Sequence, residues 1–402
     1  MSETALAGTF SLNKKEPIHR WYAYIEGYSS KLVEDELNLL SNRNIVTIYD
    51  PFAGTGTTLL SASMRGIRPY YSETNPFMNT VTSTKINTVR SITSDKMKLQ
   101  KLISFLENVR FADFTHCKEI DFWDGFEKYF SVKKLSELLY LKCLIENIDD
   151  ESVRSILMLA LSSIIVSGSK MVRRGDLRFA KENEKKEIDI KSVFIEKLEV
   201  IVEDITAFGK NVLQPVCPLA ADCRDLIEED LIDCVITSPP YLNGTNYIRN
   251  TKLELKLNGY VNSEKDLSAF HSKGIVAGIN NVSKRTTSNH EVYEAASVVN
   301  KLKECAYDKR IPIMVNDYFY DMNNVFAKLR QLMRDNGIFI MDIGDSQFAG
   351  VYVPTHDILT ALCADNGFVL ESEQVIRSRY SKNGMPLSQR LLRFKLVKKG
   401  II

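Results

Sequence analysis

Leu231-Ile232-Asp233-Cys234-Val235-Ile236-Thr237-Ser238-Pro239-Pro240-Tyr241 is an apolar run that stops on two prolines. The run from Leu231 to Ile236 reads as a buried strand of a parallel sheet. Tandem prolines neither continue a ladder nor start a helix cleanly, so a rigid, extended turn must leave the strand's C-terminal end. In open α/β sheets that edge is where ligands bind. The turn offers a small hydroxyl at Ser238, a carbonyl at Pro239 and an aromatic face at Tyr241.

Those three groups suit an exocyclic amino group on a planar base. Its hydrogens need acceptors if its lone pair is to face an electrophile. The Ser238 hydroxyl and the Pro239 carbonyl can accept, and Tyr241 can stack on a flipped ring. Taken alone, the pentapeptide also admits the plainer reading of a turn that closes a strand.

A second motif lies upstream: Tyr49-Asp50-Pro51-Phe52-Ala53-Gly54-Thr55-Gly56-Thr57-Thr58. Gly54 and Gly56 permit a tight turn and a close ligand approach. The loop is too short to be a phosphate-cradling P-loop, and no lysine follows it. Asp50 places a carboxylate beside it, suited to an ammonium group. Arg68–Ser72 reads as the next strand and ends at Glu73, a position where an acid pairs with ribose hydroxyls.

The two motifs together resemble the S-adenosylmethionine-dependent amino-methyltransferases of DNA. Ser238 at the head of S-P-P-Y resembles the cytosine-N4 branch more than the adenine-N6 branch. The resemblance implies an α/β fold, a Rossmann-like class I methyltransferase with a seven-stranded, mostly parallel sheet plus helical and loop insertions. It implies S-adenosyl-L-methionine held by Ser29, Asp50, Phe52, Gly54, Thr55, Gly56, Thr57, Glu73, Phe77 and Asp222, with Asp225 as the alternative to Asp222. It implies direct methyl transfer at Ser238, Pro239, Pro240 and Tyr241, with the base flipped out of double-stranded DNA. No cysteine adjoins the prolines, which argues against a cytosine-C5 enzyme. Adenine-N6 methylation, methylation of RNA or of a protein glutamine, and a non-catalytic DNA-binding protein remain alternatives. A restriction-modification setting, with a cognate endonuclease, is the expected biological role.

The organisation of the chain follows from its periodicities. Residues 1–93 read as an aromatic N-terminal segment and the first part of the core, with Ser30 capping a helix. Residues 94–212 carry helical periods and read as an insertion. Residues 213–261 return to the core, 262–300 form a polar insertion suited to target recognition, and 301–402 complete the core. Lys170, Arg173, Arg174 and Arg178 fall in one expected loop, with phosphate-contact chemistry. Arg249, Lys284, Arg285 and Arg379 are further candidates for DNA contact.

Lys and Arg total 52 against 51 Asp and Glu, so net charge does not announce a polyanion ligand, and a local basic face must carry one. The cysteines are odd in number, at seven, and have no metal-ligand spacing, so neither a disulfide framework nor a metal site is expected. The run Ile156–Val166 is too short and interrupted to span a bilayer, and a cytoplasmic, DNA-associated protein is expected.

Overall fold

The computed structural model describes residues 6–24, 27–114, 124–209, 211–242, 247–271, 273–282, 290–381 and 383–398. Its centre is a seven-stranded sheet. The strands are β1 (Thr47–Asp50), β2 (Arg68–Ser72), β3 (Cys217–Ala220), β4 (Ile232–Thr237), β5 (Met333–Gly344), β6 (Phe368–Tyr380) and β7 (Pro386–Leu396). They lie in the order β6-β7-β5-β4-β1-β2-β3. The five strands from β5 to β3 run parallel, and β7 joins β5 antiparallel while pairing with β6 as a hairpin. This is the Rossmann-like methyltransferase sheet expected from the two motifs.

Alternation along the strands fills two faces. Tyr49, Val235, Phe339, Met341, Leu392 and Phe394 point to one core. Ile48, Cys234, Ile236, Ile338, Ile340 and Leu391 point to the other. Helices cover both: α1 (Ser30–Leu39) and α2 (Thr57–Met64) on the second face, α10 (Arg310–Leu332) and α11 (Thr355–Asp365) on the first. Between β2 and β3 come α3 (Pro76–Ser83), α4 (Lys96–Phe111), α5 (Val132–Glu146), α6 (Glu151–Gly168) and α7 (Ile190–Phe208). Their apolar faces share one core with Leu59 and Leu60 of α2, so the helical segment is fused to the cofactor half of the sheet. Two shorter helices, α8 (Lys252–Leu257) and α9 (Ala296–Cys305), precede α10.

Three expectations change. Ser30 does not cap α1 with its side chain: Asn13 Oδ1 accepts the Ser30 backbone N–H at 2.8 Å, an acceptor from outside the helix. The expected loop around Arg173 is a β-hairpin, Met171–Arg174 against Asp176–Phe179, turned at Gly175 with φ +79°. Helix α6 has 18 residues of mean hydropathy 1.4, long and apolar enough by composition to cross a bilayer. Its Ile156, Leu157, Ala160, Leu161 and Ile164 nevertheless lie in the protein core.

Candidate cofactor and methyl-transfer site

The site grows from the C-terminal ends of β1, β2 and β4. Asp50 ends β1 and is buried. Its Oδ1 accepts the Phe52 backbone N–H at 3.0 Å and the Thr237 hydroxyl at 2.6 Å. Gly54 and Gly56 then adopt φ of +52° and +75°, the left-handed region that favours glycine. Gly56 caps α2, and a Cβ there would stand 2.9 Å from Thr82 Oγ1. Glu73, just past β2, receives backbone N–H groups from Gly54 and from Asn75, each at 2.8 Å. The Asn75 side chain in turn caps α3, accepting the Phe77 N–H at 3.1 Å.

A cavity opens over these ends. Asp50, Phe52, Gly54, Thr55, Thr57, Glu73 and Asp222 line it together with Ser238, Pro239 and Pro240. The structure therefore brings the two motifs to one space. Burial pushes the Asp50 carboxyl up to about 6, against the opposing pull of its Thr237 and Phe52 hydrogen bonds. Burial pushes Glu73 up to about 7 in the same way, opposed by the Asn75 and Gly54 N–H groups. Two such carboxyl groups in one cavity suit S-adenosylmethionine, its ammonium at Asp50 and its ribose hydroxyls at Glu73. Asp222 also faces the cavity, but Arg224 holds it with contacts of 2.6 and 3.0 Å, and Asp225 does not line it.

Other expected residues stand elsewhere. Ser29 is fully buried and donates its hydroxyl to the Ala7 carbonyl at 2.9 Å, so the wall of the cavity comes from its neighbours Tyr24, Gly27 and Tyr28. Phe77 is in the core, edge-on to Tyr22 at 5.2 Å, and Met78 takes the cavity position. Tyr241 does not line the cavity. Its ring lies against Gly344, where a Cβ would be 3.1 Å from Tyr241 Cε2, and burial pushes its hydroxyl pKa up, with Asp342 and Ser238 as neighbours. Tyr247 lines the cavity instead and accepts the Tyr241 N–H at 3.3 Å. Asp342 is buried and pushed up to about 7, opposed by its bonds to Gln389 and Tyr241.

The basic candidates divide. Arg173 points inward. It meets Glu254 at 2.6 Å and the Asn250 carbonyl at 2.6 and 3.1 Å, so its charge is spent inside the protein. Arg178 is bidentate to Glu184 at 2.7 Å, and Arg174 lies 3.5 Å from the same carboxylate. Lys170, Arg174, Arg249 and Arg379 are exposed. Arg379 shares a surface groove with Leu242, the residue after Tyr241. Lys284 and Arg285 lie outside the described residues. Sequence reasoning missed the segment from Phe270 to Asn281. Phe270, Lys273, Gly274 and Ile275 also line the cavity, and their mix of apolar, basic and small residues follows neither a helical nor a strand period.

No family model matches the chain. It is 24% identical over 413 residues to Type II methyltransferase M.AvaI of Nostoc sp. and of Anabaena variabilis, spanning 92% of this chain and 82% of that protein. It is 25% identical over 411 residues to Type II methyltransferase M.BsoBI of Geobacillus stearothermophilus, spanning 90% and 80%. Over 265 residues it is 24% identical to Type II methyltransferase M.MvaI of Kocuria varians, spanning 58% and 55%. Over about nine-tenths of its length the chain is thus similar to Type II methyltransferases. Its fold and these relatives make S-adenosylmethionine its cofactor.

Proposed function

We propose that this protein transfers the methyl group of S-adenosylmethionine to the exocyclic N4 amino group of a cytosine flipped out of duplex DNA. One observation carries the reading: Ser238, Pro239 and Pro240 open into the cavity that Gly54 and Glu73 also line. When bound, the cofactor supplies an electrophilic methyl on a sulfonium. Asp50, Gly54, Glu73 and Asp222 are the residues that would hold it, with Phe52 and Met78 as apolar walls. Ser238 and the Pro239 carbonyl accept hydrogens of the amino group, so its lone pair faces the methyl. The gain is mainly alignment of nucleophile and electrophile in a cavity that Phe270, Lys273 and Ile275 also line. Lys170, Arg174, Arg249 and Arg379 supply backbone contacts that hold the duplex. Modification beside a cognate restriction endonuclease is the role in keeping with the relatives' Type II name.

The experiment is nucleoside analysis of DNA treated with the enzyme and cofactor. N4-methylcytosine is the expected product. N6-methyladenine would overturn the choice of base, and the absence of any methylated base would overturn the reading as a whole.

A further inference from the structure

Lys85 is 1% exposed and lies behind the cofactor loop. Its Nζ donates to the carbonyls of Thr55 and His19, each at 3.3 Å. Few lysines are buried this deeply. Helix α3 runs into a π-helical turn, Thr84–Thr88, which places this side chain. Such turns are rare and gather at functional sites. Burial pushes the amine down to about 7, helped by the charge of Lys197. The Lys85 head group has an N–H donor for each of the two carbonyls it meets.

The two carbonyls belong to different parts of the cofactor site. Thr55 lies between Gly54 and Gly56 and lines the cavity. His19 lies in a short helix, His19–Trp21, that leads into the cavity wall at Tyr24, Gly27 and Tyr28. Asp204 of α7 fixes the outer side of that helix, accepting the Ile18 N–H at 2.9 Å and the Trp21 indole N–H at 2.8 Å. On the inner side, Lys85 ties the helix to the loop. Its bond to the Thr55 carbonyl acts on the peptide plane between Thr55 and the left-handed Gly56 at the head of α2.

We propose that Lys85 is a positioning residue for S-adenosylmethionine, which sets the glycine loop against the N-terminal wall through the Thr55 and His19 carbonyls. The proposal rests on the cavity being the cofactor site. It predicts a defect in cofactor binding and none in the methyl-transfer step once the site is filled.

Calorimetric titration of S-adenosylmethionine into Lys85→Met is the test. The variant keeps the apolar stem and leaves two buried carbonyls unpaired, so affinity should fall about tenfold or more. Single-turnover transfer at saturating cofactor should stay within about twofold of the parent, since the reacting groups are untouched. Ile86→Ala, a buried truncation in the same turn, should lower the melting temperature and leave cofactor affinity unchanged. If Lys85→Met does not fold, Lys85→Gln replaces it. The shorter amide cannot span both carbonyls, and its affinity should also fall. Parental affinity in a folded Lys85 variant would overturn the proposal. Gly54→Asp separates the two layers. If it binds cofactor normally, the site itself is misplaced. If it loses binding while Lys85→Met keeps it, only the role of Lys85 is lost.

Discussion

The Thr237 hydroxyl donates to Asp50 Oδ1 at 2.6 Å, across 187 residues of sequence. Thr237 is the last residue of β4 and precedes Ser238. Asp50 is the last residue of β1 and precedes the glycine loop. The bond therefore ties the glycine-loop motif to the S-P-P-Y motif where their strands end side by side. It also fixes one oxygen of a carboxylate that burial has pushed up to about 6. Glu73, pushed up to about 7, sits in the same cavity.

Cofactor affinity should therefore depend on pH. Both folded-state values stand above the ordinary carboxylate range. The ligand-free protein then holds more protons than the unfolded chain across that range, and its stability falls as pH rises from about 4 to about 7. A cationic cofactor reverses this by favouring the ionised carboxylates. Affinity should rise as pH passes from about 5.5 to about 7.5, with protons released on binding. Calorimetry in two buffers of different ionisation enthalpy measures that release. Glu73→Gln should weaken binding and remove the upper part of the pH dependence. A flat profile in the parent would show that cofactor binding does not ionise these carboxyl groups.

Two glycines with similar backbone angles offer a paired test. Gly56 has φ +75°, and a Cβ there meets Thr82 Oγ1 at 2.9 Å and Cγ2 at 3.1 Å. Gly66 has φ +79° and nothing within 4 Å of a Cβ. Alanine at either position carries the left-handed penalty of about 1–2 kcal/mol. Only Gly56→Ala should also displace Thr82, whose hydroxyl donates to the Gly54 carbonyl at 3.2 Å. Thermal melts should show both variants destabilised, Gly56→Ala the more. Cofactor titration should show a loss in Gly56→Ala alone. Equal cofactor affinity in the two would mean that the turn tolerates a side chain.

The sheet was legible because its signals are local. Apolar runs ending at Asp50, Glu73 and Pro239 marked three adjacent strand ends, and chain order placed them at one edge. The errors arose where tertiary partners decide. Arg173 looks like its neighbours Arg174 and Arg178, and nothing near it announces Glu254, 81 residues away. The Met171–Phe179 hairpin was hidden because three arginines and an aspartate mask its alternation. Phe77 and Met78 are both apolar, and only the start of α3 at Pro76 decides which faces the cavity. Tyr241 follows the two prolines as an aromatic at a binding edge should, yet its ring takes the room that Gly344, lacking a Cβ, leaves beside it.

The basic hairpin should split under mutation. Arg173 has a side-chain exposure of 13% against 1% for Glu254, so Arg173→Ala strands a buried carboxylate. The expected cost is about 3–5 kcal/mol of stability, with little change in the salt dependence of DNA binding. Lys170→Ala with Arg174→Ala should do the opposite. Stability should hold, while the slope of log affinity against log salt falls by roughly 1 for each phosphate that is no longer neutralised. The weakening should be similar for target and non-target duplexes. Titration of both duplexes at several salt concentrations checks this, and an unchanged slope would return this face to ordinary surface.

The last prediction separates Ser238 from Tyr241. Ser238→Ala keeps the Pro239-Pro240 turn and leaves Gly54 and Glu73 intact, so cofactor affinity should survive. Duplex affinity should also hold, because backbone contacts supply most of it. The chemical step should slow by the worth of one neutral hydrogen bond, about 0.5–1.5 kcal/mol, or roughly threefold to tenfold in rate. The Pro239 carbonyl still accepts, so activity should persist. Tyr241→Phe removes only the hydroxyl that neighbours Asp342 and Ser238, and keeps the ring against Gly344. Its rate should fall because the Ser238 hydroxyl loses the partner that orients it. If that is its whole effect, the double variant should be no slower than Ser238→Ala. If instead Tyr241 stacks on the base, Tyr241→Phe should be nearly silent. Tyr241→Ala should then lose about 1–3 kcal/mol, less on a mismatched target that flips easily. Single-turnover transfer with saturating cofactor, on matched and mismatched duplexes, reads all four variants. A parental rate for Ser238→Ala on matched DNA would remove Ser238 from the reacting groups and, with it, the reason to prefer cytosine N4.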